Sequence, residues 1–396
     1  MRWLRQTFAI MALNLRTIPQ RLSSSAVAIV GIAGVVVVFV SVLSIAAGFS
    51  AAMRQSGSPQ RALVMRSGAD SEMTSGLSAP EVDIIKQAPG IRRDGQAPLA
   101  SGELYVIIDL PKKATPETPA NVPMRGIEPA GMRVRGEVSL TEGRMFQFGT
   151  NEVIVGRGAS RQFVGLEVGS EIVSGQNRWH VVGVFEADGG VAESEIWCDA
   201  RSLQGAYRRG NSYQSVLAQL DSSDSLTAFS DWLTSNPAVN LMVRRETDYY
   251  AGQSQALTTL IRTIGFGIAA LMGVGAIFGA ILTMYTAVAA RAREIATLRA
   301  LGFNTSSVLV SVLGESLALG AIGGIIGGLA AYLAFNGYQT STMNFQTFSQ
   351  VAFAFAVTPA LLIQGLSYAI AMGLVGGLFP AIRAARLPIS AALREL

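Results

Sequence analysis

Three long stretches without aspartate, glutamate, lysine or arginine constrain this chain more than any other feature of its 396 residues. They comprise residues 22–53, 263–290 and 316–382. An α-helix needs about 20 apolar residues to cross a hydrocarbon core of about 30 Å, so the first two stretches each hold one crossing and the third holds two. Since 50% of all residues are hydrophobic and only 15% charged, the sequence predicts a multi-pass membrane protein with four transmembrane helices.

Arginines beside these stretches predict the orientation. Outside residues 54–262 lie ten arginines and three glutamates, a net charge of +7, whereas residues 54–262 hold 21 basic and 24 acidic side chains, a net charge of −3. Because Lys and Arg accumulate in cytoplasmic loops, both termini and the connection between spans 2 and 3 are predicted to be cytoplasmic. Topology thus accounts for the total charge of +4, and nucleic acid is not an expected partner.

The predicted fold class is an α-helical membrane protein with four transmembrane helices plus a large α+β extracytoplasmic domain inserted between helices 1 and 2. In chain order, the predicted segments are an amphipathic cytoplasmic interfacial helix (1–21), transmembrane helix 1 (22–53), the extracytoplasmic domain in two subdomains (54–245), a stalk with transmembrane helix 2 (246–290), a short helix (291–302), transmembrane helix 3 (306–335), a short external loop (336–352), transmembrane helix 4 (353–382) and a cytoplasmic tail (383–396).

The first 21 residues combine a helical apolar pattern with four arginines. The apolar residues, at spacings of three and four, are Leu4, Phe8, Met11, Leu15 and Ile18. This pattern predicts a helix lying on membrane lipid, and an irregular basic tail is the alternative. The uncharged run that follows is too long for the apolar region of a signal peptide, so we expect an uncleaved anchor.

Glycines recur at every fourth position within the predicted spans. They are Gly275 and Gly279 in span 2, Gly320, Gly324 and Gly328 in span 3, and Gly373 and Gly377 in span 4. In lipid, small residues at this spacing allow helix backbones to approach closely. The sequence therefore predicts that these glycines pack transmembrane helices together.

The outer segment alternates between strand and helix patterns. Enrichment in β-branched and aromatic residues predicts strands at 105–110, 152–155, 179–185 and 215–220. Ser78 and Glu81 have the spacing of a capping box, which predicts a short helix. Prolines predict a loop at 112–123, a strand–helix–strand unit is predicted over 215–243, and a continuous helix is expected from residue 246 into span 2.

No constellation of catalytic residues is found in the sequence. His180 is the only histidine and lies in an alternating strand pattern, so a structural role is favoured. Cys198 is the only cysteine and has no intrachain disulfide partner. No Gly-x-x-x-x-Gly-Lys-[Ser/Thr] motif occurs. The chain is therefore predicted to be a non-catalytic protein without a metal or cofactor of its own.

Residues 288–302 are the most informative segment. They resemble the coupling-helix signature of MacB/LolC/FtsX-type ABC transporter permeases, in which an Arg-Glu-Ile element is followed by Arg-Ala-x-Gly. The matching residues are Arg291, Arg293, Glu294, Ile295, Leu298, Arg299, Ala300 and Gly302. Ala296 and Phe303 depart from the commonest pattern of the family. The residues alone favour an ordinary positive-inside loop; the resemblance favours a short helix that docks Ile295 and Leu298 into a cytoplasmic partner.

The resemblance covers nearly the whole chain. Glu315 at the start of span 3 and the Pro-Ala-Ile-Arg-Ala-Ala-Arg sequence at 380–386 are similar to the third helix and the C-terminal tail of the family. Similarity to its extracytoplasmic domain is carried by residues 125–127, 142–146, 151–154 and 181–185.

This resemblance implies a permease without a fused ATPase in the bacterial inner membrane. Its implied partners are a separate cytoplasmic P-loop ABC ATPase that binds ATP, a second permease chain in a homo- or heterodimer, and a periplasmic adaptor. ATP-driven closure would reach the outer domain through the coupling helix. The favoured function is export or extraction of a lipoprotein, peptide or amphipathic compound; the alternative is an FtsX-like regulator of an extracytoplasmic hydrolase that moves no cargo.

Overall fold

The computed structural model describes residues 22–136 and 138–388. The predicted interfacial helix at 1–21 and the last eight residues of the predicted tail lie outside the described residues. The described chain divides into a helical unit, built from residues 22–47, 259–338 and 355–388, and an α+β unit, built from residues 48–258 and 339–354.

Ten α-helices and fourteen strands are named here in chain order. The helices are α1 (Leu22–Gln55), α2 (Ala79–Gln87), α3 (Pro129–Arg135), α4 (Arg157–Gln162), α5 (Ala200–Ala206), α6 (Ser225–Thr234), α7 (Glu246–Ala290), α8 (Ala292–Ala300), α9 (Thr305–Phe335) and α10 (Pro359–Arg386). The strands are β1 (Arg61–Arg66), β2 (Arg93–Asp94), β3 (Ala97–Pro98), β4 (Ala100–Pro111), β5 (Pro119–Ile127), β6 (Ser139–Gly143), β7 (Glu152–Gly156), β8 (Glu171–Ser174), β9 (Asn177–Glu186), β10 (Ile196–Asp199), β11 (Ser215–Gln219), β12 (Leu241–Arg245), β13 (Gln339–Met343) and β14 (Gln350–Ala354).

Helices α1, α7, α9 and α10 are each long and apolar enough to cross a membrane. Within the helical unit, one apolar cluster joins Val36 and Phe39 of α1 to Ala331 of α9 and Met372 of α10. A second cluster joins the end of α7 and α8 to α9 and α10. The four long helices therefore share buried apolar surface in this unit.

Nine strands of the α+β unit form one continuous path in the order β12-β1-β11-β4-β5-β10-β7-β9-β6, and β8 adds to β9. The sheet is mixed, because β5 and β10 are parallel, β7 and β9 are parallel, and the other pairs are antiparallel. One core cluster contains Trp179 and Leu203, and another contains Phe229 and Val216. A third cluster contains Phe185 and Trp197, so a single sheet contributes to three apolar clusters.

Most local predictions for the outer segment are confirmed. All four predicted strands are present, as β4, β7, β9 and β11. The capping box opens α2, where Glu81 accepts hydrogen bonds from the backbone N–H and the hydroxyl of Ser78, both at 2.8 Å. The predicted strand–helix–strand unit is β11-α6-β12, but β1 lies between its two strands.

The predicted loop at 112–123 is wrong in its second half, because β5 begins at Pro119. Residues 119–127 of this strand pair with β4, whereas only residues 124–127 also pair with β10. Pro119 and Pro123 therefore lie in the part of β5 that has one strand neighbour, where a missing N–H costs no ladder bond on the open side.

The predicted loop at 336–352 and the predicted start of helix 4 at residue 353 also need correction. Strands β13 and β14 pair as an antiparallel hairpin over this region. Helix α10 begins only at Pro359, where the Thr358 side chain caps it by accepting the Leu361 N–H, and it continues to Arg386 rather than ending at 382. A capping threonine followed by proline at the first helical position is a strong start signal.

Candidate coupling site and a buried charge network

A one-residue break, the α7–α8 corner, separates α7 from α8. Arg291 leaves the helical conformation, with φ −108° and ψ 12°, and α8 begins at the next residue. At the other end, Gly302 has a φ of +93° and donates its N–H to the Arg299 carbonyl at 3.1 Å, while Phe303 donates to the Leu298 carbonyl at 3.1 Å. These two bonds form a Schellman motif, which requires a residue that tolerates positive φ. Gly302 is therefore a helix stop, as its glycine identity permits.

A buried ion pair fixes this corner to α9. The Arg291 guanidinium donates from Nη1 to Glu315 Oε2 at 3.0 Å and from Nη2 to Oε1 at 3.2 Å. Both side chains are 6% exposed. A two-pronged Arg–carboxylate contact restricts orientation as well as distance. The charge of Glu315 is therefore balanced by Arg291 at this corner.

A cavity of about 310 Å³ lies between the end of α7, α8 and the beginning of α9. Its walls are largely apolar, from residues such as Met284, Ile295 and Val312, and the Arg291–Glu315 pair lines one side. A largely apolar pocket therefore lies beside the Arg291–Glu315 pair, between α8 and α9.

The outer side of α8 is exposed and mixed in character. Arg293, Glu294 and Thr297 are exposed, and Leu301, which follows the helix, is 73% exposed. Glu294 in the first turn and Arg299 in the last turn each complement the helix dipole. The exposed face therefore presents charges of both signs next to an apolar side chain.

The residues of the predicted docking face lie on the covered side of α8, and their docking role stays a prediction. Ile295 is only 7% exposed and packs in the core cluster with Met284 and Val308. Leu298 is half-buried and lines the cavity. Arg299 is also half-buried and donates a hydrogen bond to the Leu387 carbonyl. The apolar face of α8 turns inward because the α7 and α9 cores cover it.

Five of the seven predicted packing glycines lie at a tight seam between α9 and α10. A Cβ at Gly320 would come within 2.8 Å of the Ala369 carbonyl oxygen, and one at Gly377 within 2.5 Å of the Ser316 Cβ. Gly324, Gly328 and Gly373 face α9 or α10 atoms in the same way. By contrast, a Cβ at Gly275 or Gly279 would meet no atom within 4 Å. The described chain leaves these two glycines of α7 open.

A buried charge network in the α+β unit went unnoticed in the sequence. Arg125 of β5 donates to Glu72 at 2.7 and 3.0 Å, to Glu103 at 2.7 Å and to Glu195 at 2.8 Å with two nitrogens. Arg135 at the end of α3 also pairs with Glu103. All five side chains are at most 8% exposed. A charge in the middle of an otherwise apolar strand, as at Arg125, is the sequence signal that indicates such a buried network.

Arg125 lowers the pKa of one of its partners, Glu72. Burial opposes ionisation of Glu72, but the Arg125 charge and hydrogen bonds from Arg125 and Ser215 outweigh burial and hold the pKa of Glu72 below its usual range. Burial also disfavours charged Arg125, yet the carboxylates of Glu195, Glu72 and Glu103 raise its pKa further. Glu72 and Arg125 are therefore both charged at neutral pH.

Two family models match this chain. One, described as the MacB-like periplasmic core domain, matches residues 25–236, just over half of the chain, and the other, described as the FtsX-like permease C-terminal domain, matches residues 266–389. This chain belongs to the MacB/FtsX-like family of ABC transporter permeases. The resemblance carried by residues 288–302 is thereby confirmed.

Two curated relatives are macrolide export ATP-binding/permease proteins named MacB. The chain is 28% identical over 237 residues to the protein of Hyphomonas neptunium, covering 57% of this chain and 35% of that one. It is 26% identical over 298 residues to the MacB 1/2 protein of Paracoccus denitrificans, covering 70% of this chain and 42% of that one. The chain therefore spans less than half the length of each of these relatives.

One solved structure similar to the chain is the periplasmic region of MacB from Actinobacillus actinomycetemcomitans. The alignment has a TM-score of 0.37 and 13% sequence identity, and it covers 50% of this chain and 92% of that one.

Proposed function

We propose that this MacB/FtsX-like permease couples ATP hydrolysis by a separate cytoplasmic P-loop ATPase to movement of its α+β domain outside the cytoplasm. The movement drives export or extraction of a lipoprotein, peptide or amphipathic compound. The observation that carries the proposal is that the outer face of α8 is exposed. The buried Arg291–Glu315 pair holds the beginning of this helix against α9.

The α7–α8 corner supports a lever role for α8. A push on Arg293 or Glu294 is resisted at Arg291, because displacing its guanidinium would separate a buried charge pair. The load would therefore pass to α7 and α9 instead of being absorbed in a flexible loop. Helix α7 is continuous from Ala290 back to Glu246, and its first turns belong to the α+β unit.

The four long apolar helices support work on the α+β domain rather than passage of a polar substrate between the helices. The stretches 22–53, 263–290 and 316–382 contain no acidic or basic residue. Polar substrate paths through membranes are usually lined by ionisable side chains. An extraction mechanism outside the membrane needs no such path.

We further propose that the exposed face of α7 meets membrane lipid and the second permease chain. Leu271, Phe278 and Leu282 are 63–78% exposed on this helix, and Gly275 and Gly279 are open beside them. Large apolar side chains on a membrane helix need a lipid or protein neighbour. A periplasmic adaptor that docks on the α+β domain completes the proposed assembly.

Co-purification with candidate ATPase subunits tests the coupling role. Arg293→Glu and Glu294→Arg are expected to weaken association and to reduce permease-dependent stimulation of ATP hydrolysis, because both charges are exposed on α8. Arg92→Glu, an exposed arginine of the α+β unit, is the control and should leave both measurements unchanged. Wild-type association and stimulation in both α8 variants would remove the coupling role.

Cysteine labelling tests the proposed orientation in the inner membrane. In a Cys198→Ala background, Val173→Cys and Leu301→Cys introduce single thiols at positions that are 71% and 73% exposed. A membrane-impermeant maleimide added to spheroplasts should label position 173 and not position 301. Labelling of position 301 alone would place the α+β domain in the cytoplasm and exclude the proposed transporter.

A transport assay on the permease and its ATPase, reconstituted in liposomes, distinguishes a transporter from a regulator that moves no cargo. Transporter function predicts ATP-dependent extraction of a labelled lipoprotein or amphipathic dye. Normal ATPase stimulation without movement of either probe would favour the FtsX-like regulator of an extracytoplasmic hydrolase.

A further inference from the structure

The α+β unit continues into the long helices through three segments. These segments are the residues that follow α1, the first turns of α7, and the β13–β14 hairpin that connects α9 to α10. The first turns of α7 and the hairpin contact residues of the Arg125 network or their neighbours, and the residues that follow α1 are connected to it through Arg61, which pairs with Glu246 and donates from Nη1 to the Arg135 carbonyl at 2.7 Å.

The first turns of α7 are attached by two buried contacts. The Tyr249 hydroxyl accepts the backbone N–H of Glu72 at 3.2 Å, and Tyr249 is only 2% exposed. Glu246, at the first position of α7, accepts from Arg61 Nε at 2.5 Å and from the Ser58 N–H at 2.9 Å. Ser58 follows the end of α1 by three residues, so the same carboxylate joins the exit of α1 to the start of α7.

The hairpin is attached through Tyr105, whose ring lies beside Arg125. The Arg125 guanidinium carbon lies 4.8 Å from the centre of the Tyr105 ring, and the Tyr105 hydroxyl lies 3.3 Å from Ser349 Oγ of the hairpin. Asn344 of the hairpin donates to the Gln253 side chain of α7 at 2.8 Å, and both residues are buried. The hairpin and α7 are therefore connected both directly and through Arg125.

We infer that the Arg125 network is a common joint, which holds the exit of α1, the start of α7 and the β13–β14 hairpin in fixed positions on the sheet. The inference deepens the proposed function and rests on it, since a joint of this kind makes the α+β domain respond as one body to movement of its helices. A displacement of any one segment would disturb charges that share Arg125.

Burial gives the joint its stiffness. Hydrogen bonds to charged groups are stronger in a low-dielectric interior, and each carboxylate that leaves Arg125 would remain desolvated without a full partner. Glu72 connects the two parts. Its carboxylate accepts hydrogen bonds from Arg125 and Ser215, and its backbone N–H donates to the Tyr249 hydroxyl. A disturbance at α7 therefore reaches Arg125 through one residue.

Hydrogen exchange of the full chain in nanodiscs, without nucleotide or ATPase, tests the joint. Tyr249→Phe and Tyr105→Phe each remove one hydroxyl contact and keep the ring. Either variant is expected to raise amide exchange roughly two- to tenfold both in residues 246–254 and in residues 339–354, because one lost hydrogen bond shifts local opening by about this factor. Tyr207→Phe removes a hydroxyl that lies 2.7 Å from Ser174 Oγ elsewhere in the same unit and is the matched control.

A rise in both segments for both variants, above that in Tyr207→Phe, supports a common joint. A rise confined to the segment whose own contact was removed would show two independent attachments and overturn the inference, as would no rise above the control. Because the experiment uses no ATPase, its outcome is separate from the co-purification of α8 variants. Loss of coupling in those variants with an unchanged exchange pattern would retain the proposed function and reject the joint.

Discussion

The buried Arg291–Glu315 pair and the buried Arg125 network differ in how much of the chain they connect. In the helical unit, Arg291 pairs with Glu315 across one helix corner. In the α+β unit, Arg125 serves Glu72, Glu103 and Glu195, which lie before α2, in β4 and before β10. The pair fixes one helix to its neighbour, whereas the network connects distant parts of the chain. The Arg291–Glu315 pair therefore stiffens the structure locally, whereas the Arg125 network connects segments across a whole domain.

The largest effect that this comparison predicts is that of Arg125→Met. The substitution leaves three buried carboxylates without their main cation, so it should cost more than the roughly 3–5 kcal/mol typical of breaking one buried pair. Unfolding is measured by tryptophan fluorescence of the full chain, because Trp179, Trp197 and Trp232 all lie in the α+β unit. Arg144→Met, at an exposed pair with Glu152, is the control and should change stability little. Equal effects of the two variants would contradict an integrating role for Arg125.

The next largest effect is expected for Arg291→Met, which removes the guanidinium that pairs with Glu315. We expect the free energy of unfolding to fall by about 3–5 kcal/mol. Unfolding of the full chain in mixed micelles is measured by its helical circular dichroism. The double variant with Glu315→Met should recover most of the loss, since no buried charge remains. No recovery in the double variant would show that the pair matters for its shape rather than its charge, and the comparison with Arg125 would no longer hold.

The sequence could reveal the simpler group but not the network. Arg291 and Glu315 both stand at the edges of uncharged stretches, where any charge is conspicuous, and the resemblance of residues 288–302 drew attention to one of them. Glu72, Glu103 and Glu195 are far apart in the chain, and only the pairing of β4, β5 and β10 brings them to Arg125. Strand order is a non-local property that a pattern of residues along the chain does not specify.

A similar limit applies to the orientation of α8 and to the hairpin, which was predicted to be a loop. Helical periodicity placed Ile295 and Leu298 on one face but did not state which face the rest of the chain covers. Residues 339–354 lack charged residues and are bounded by apolar helices, so their sequence is compatible with a loop. Their strand conformation depends on the partners that the α+β unit provides, such as Ser194, whose hydroxyl accepts the Ala352 N–H at 2.8 Å.

At the glycine seam between α9 and α10, we predict a smaller effect than at Arg125 or Arg291. This prediction compares the closely packed α9–α10 seam with the open glycine positions of α7. Gly320→Ala should destabilise the helical unit by about 1–3 kcal/mol, because its Cβ would press on the Ala369 backbone at 2.8 Å. Gly275→Ala, at an open position of α7, is the matched control and should be neutral or slightly stabilising. Destabilisation by Gly275→Ala in reconstituted membranes, but not in dilute detergent, would place a second permease chain against this face of α7.

The smallest expected effect is that of mild acid on the α+β domain. Because Arg125 holds the pKa of Glu72 below its usual range, the stabilising contribution of this carboxylate is complete above its unfolded pKa of about 4.3 and is lost as the pH falls through the lower, folded value. The melting temperature read from tryptophan fluorescence should therefore change little on account of Glu72 between about pH 7 and pH 5, and fall below about pH 4. Glu72→Gln should flatten part of the acid limb. The melting temperature of the wild type could instead fall between pH 7 and pH 5, with the same dependence on pH in Glu72→Gln. That result would assign the acid sensitivity to a group outside the Arg125 network.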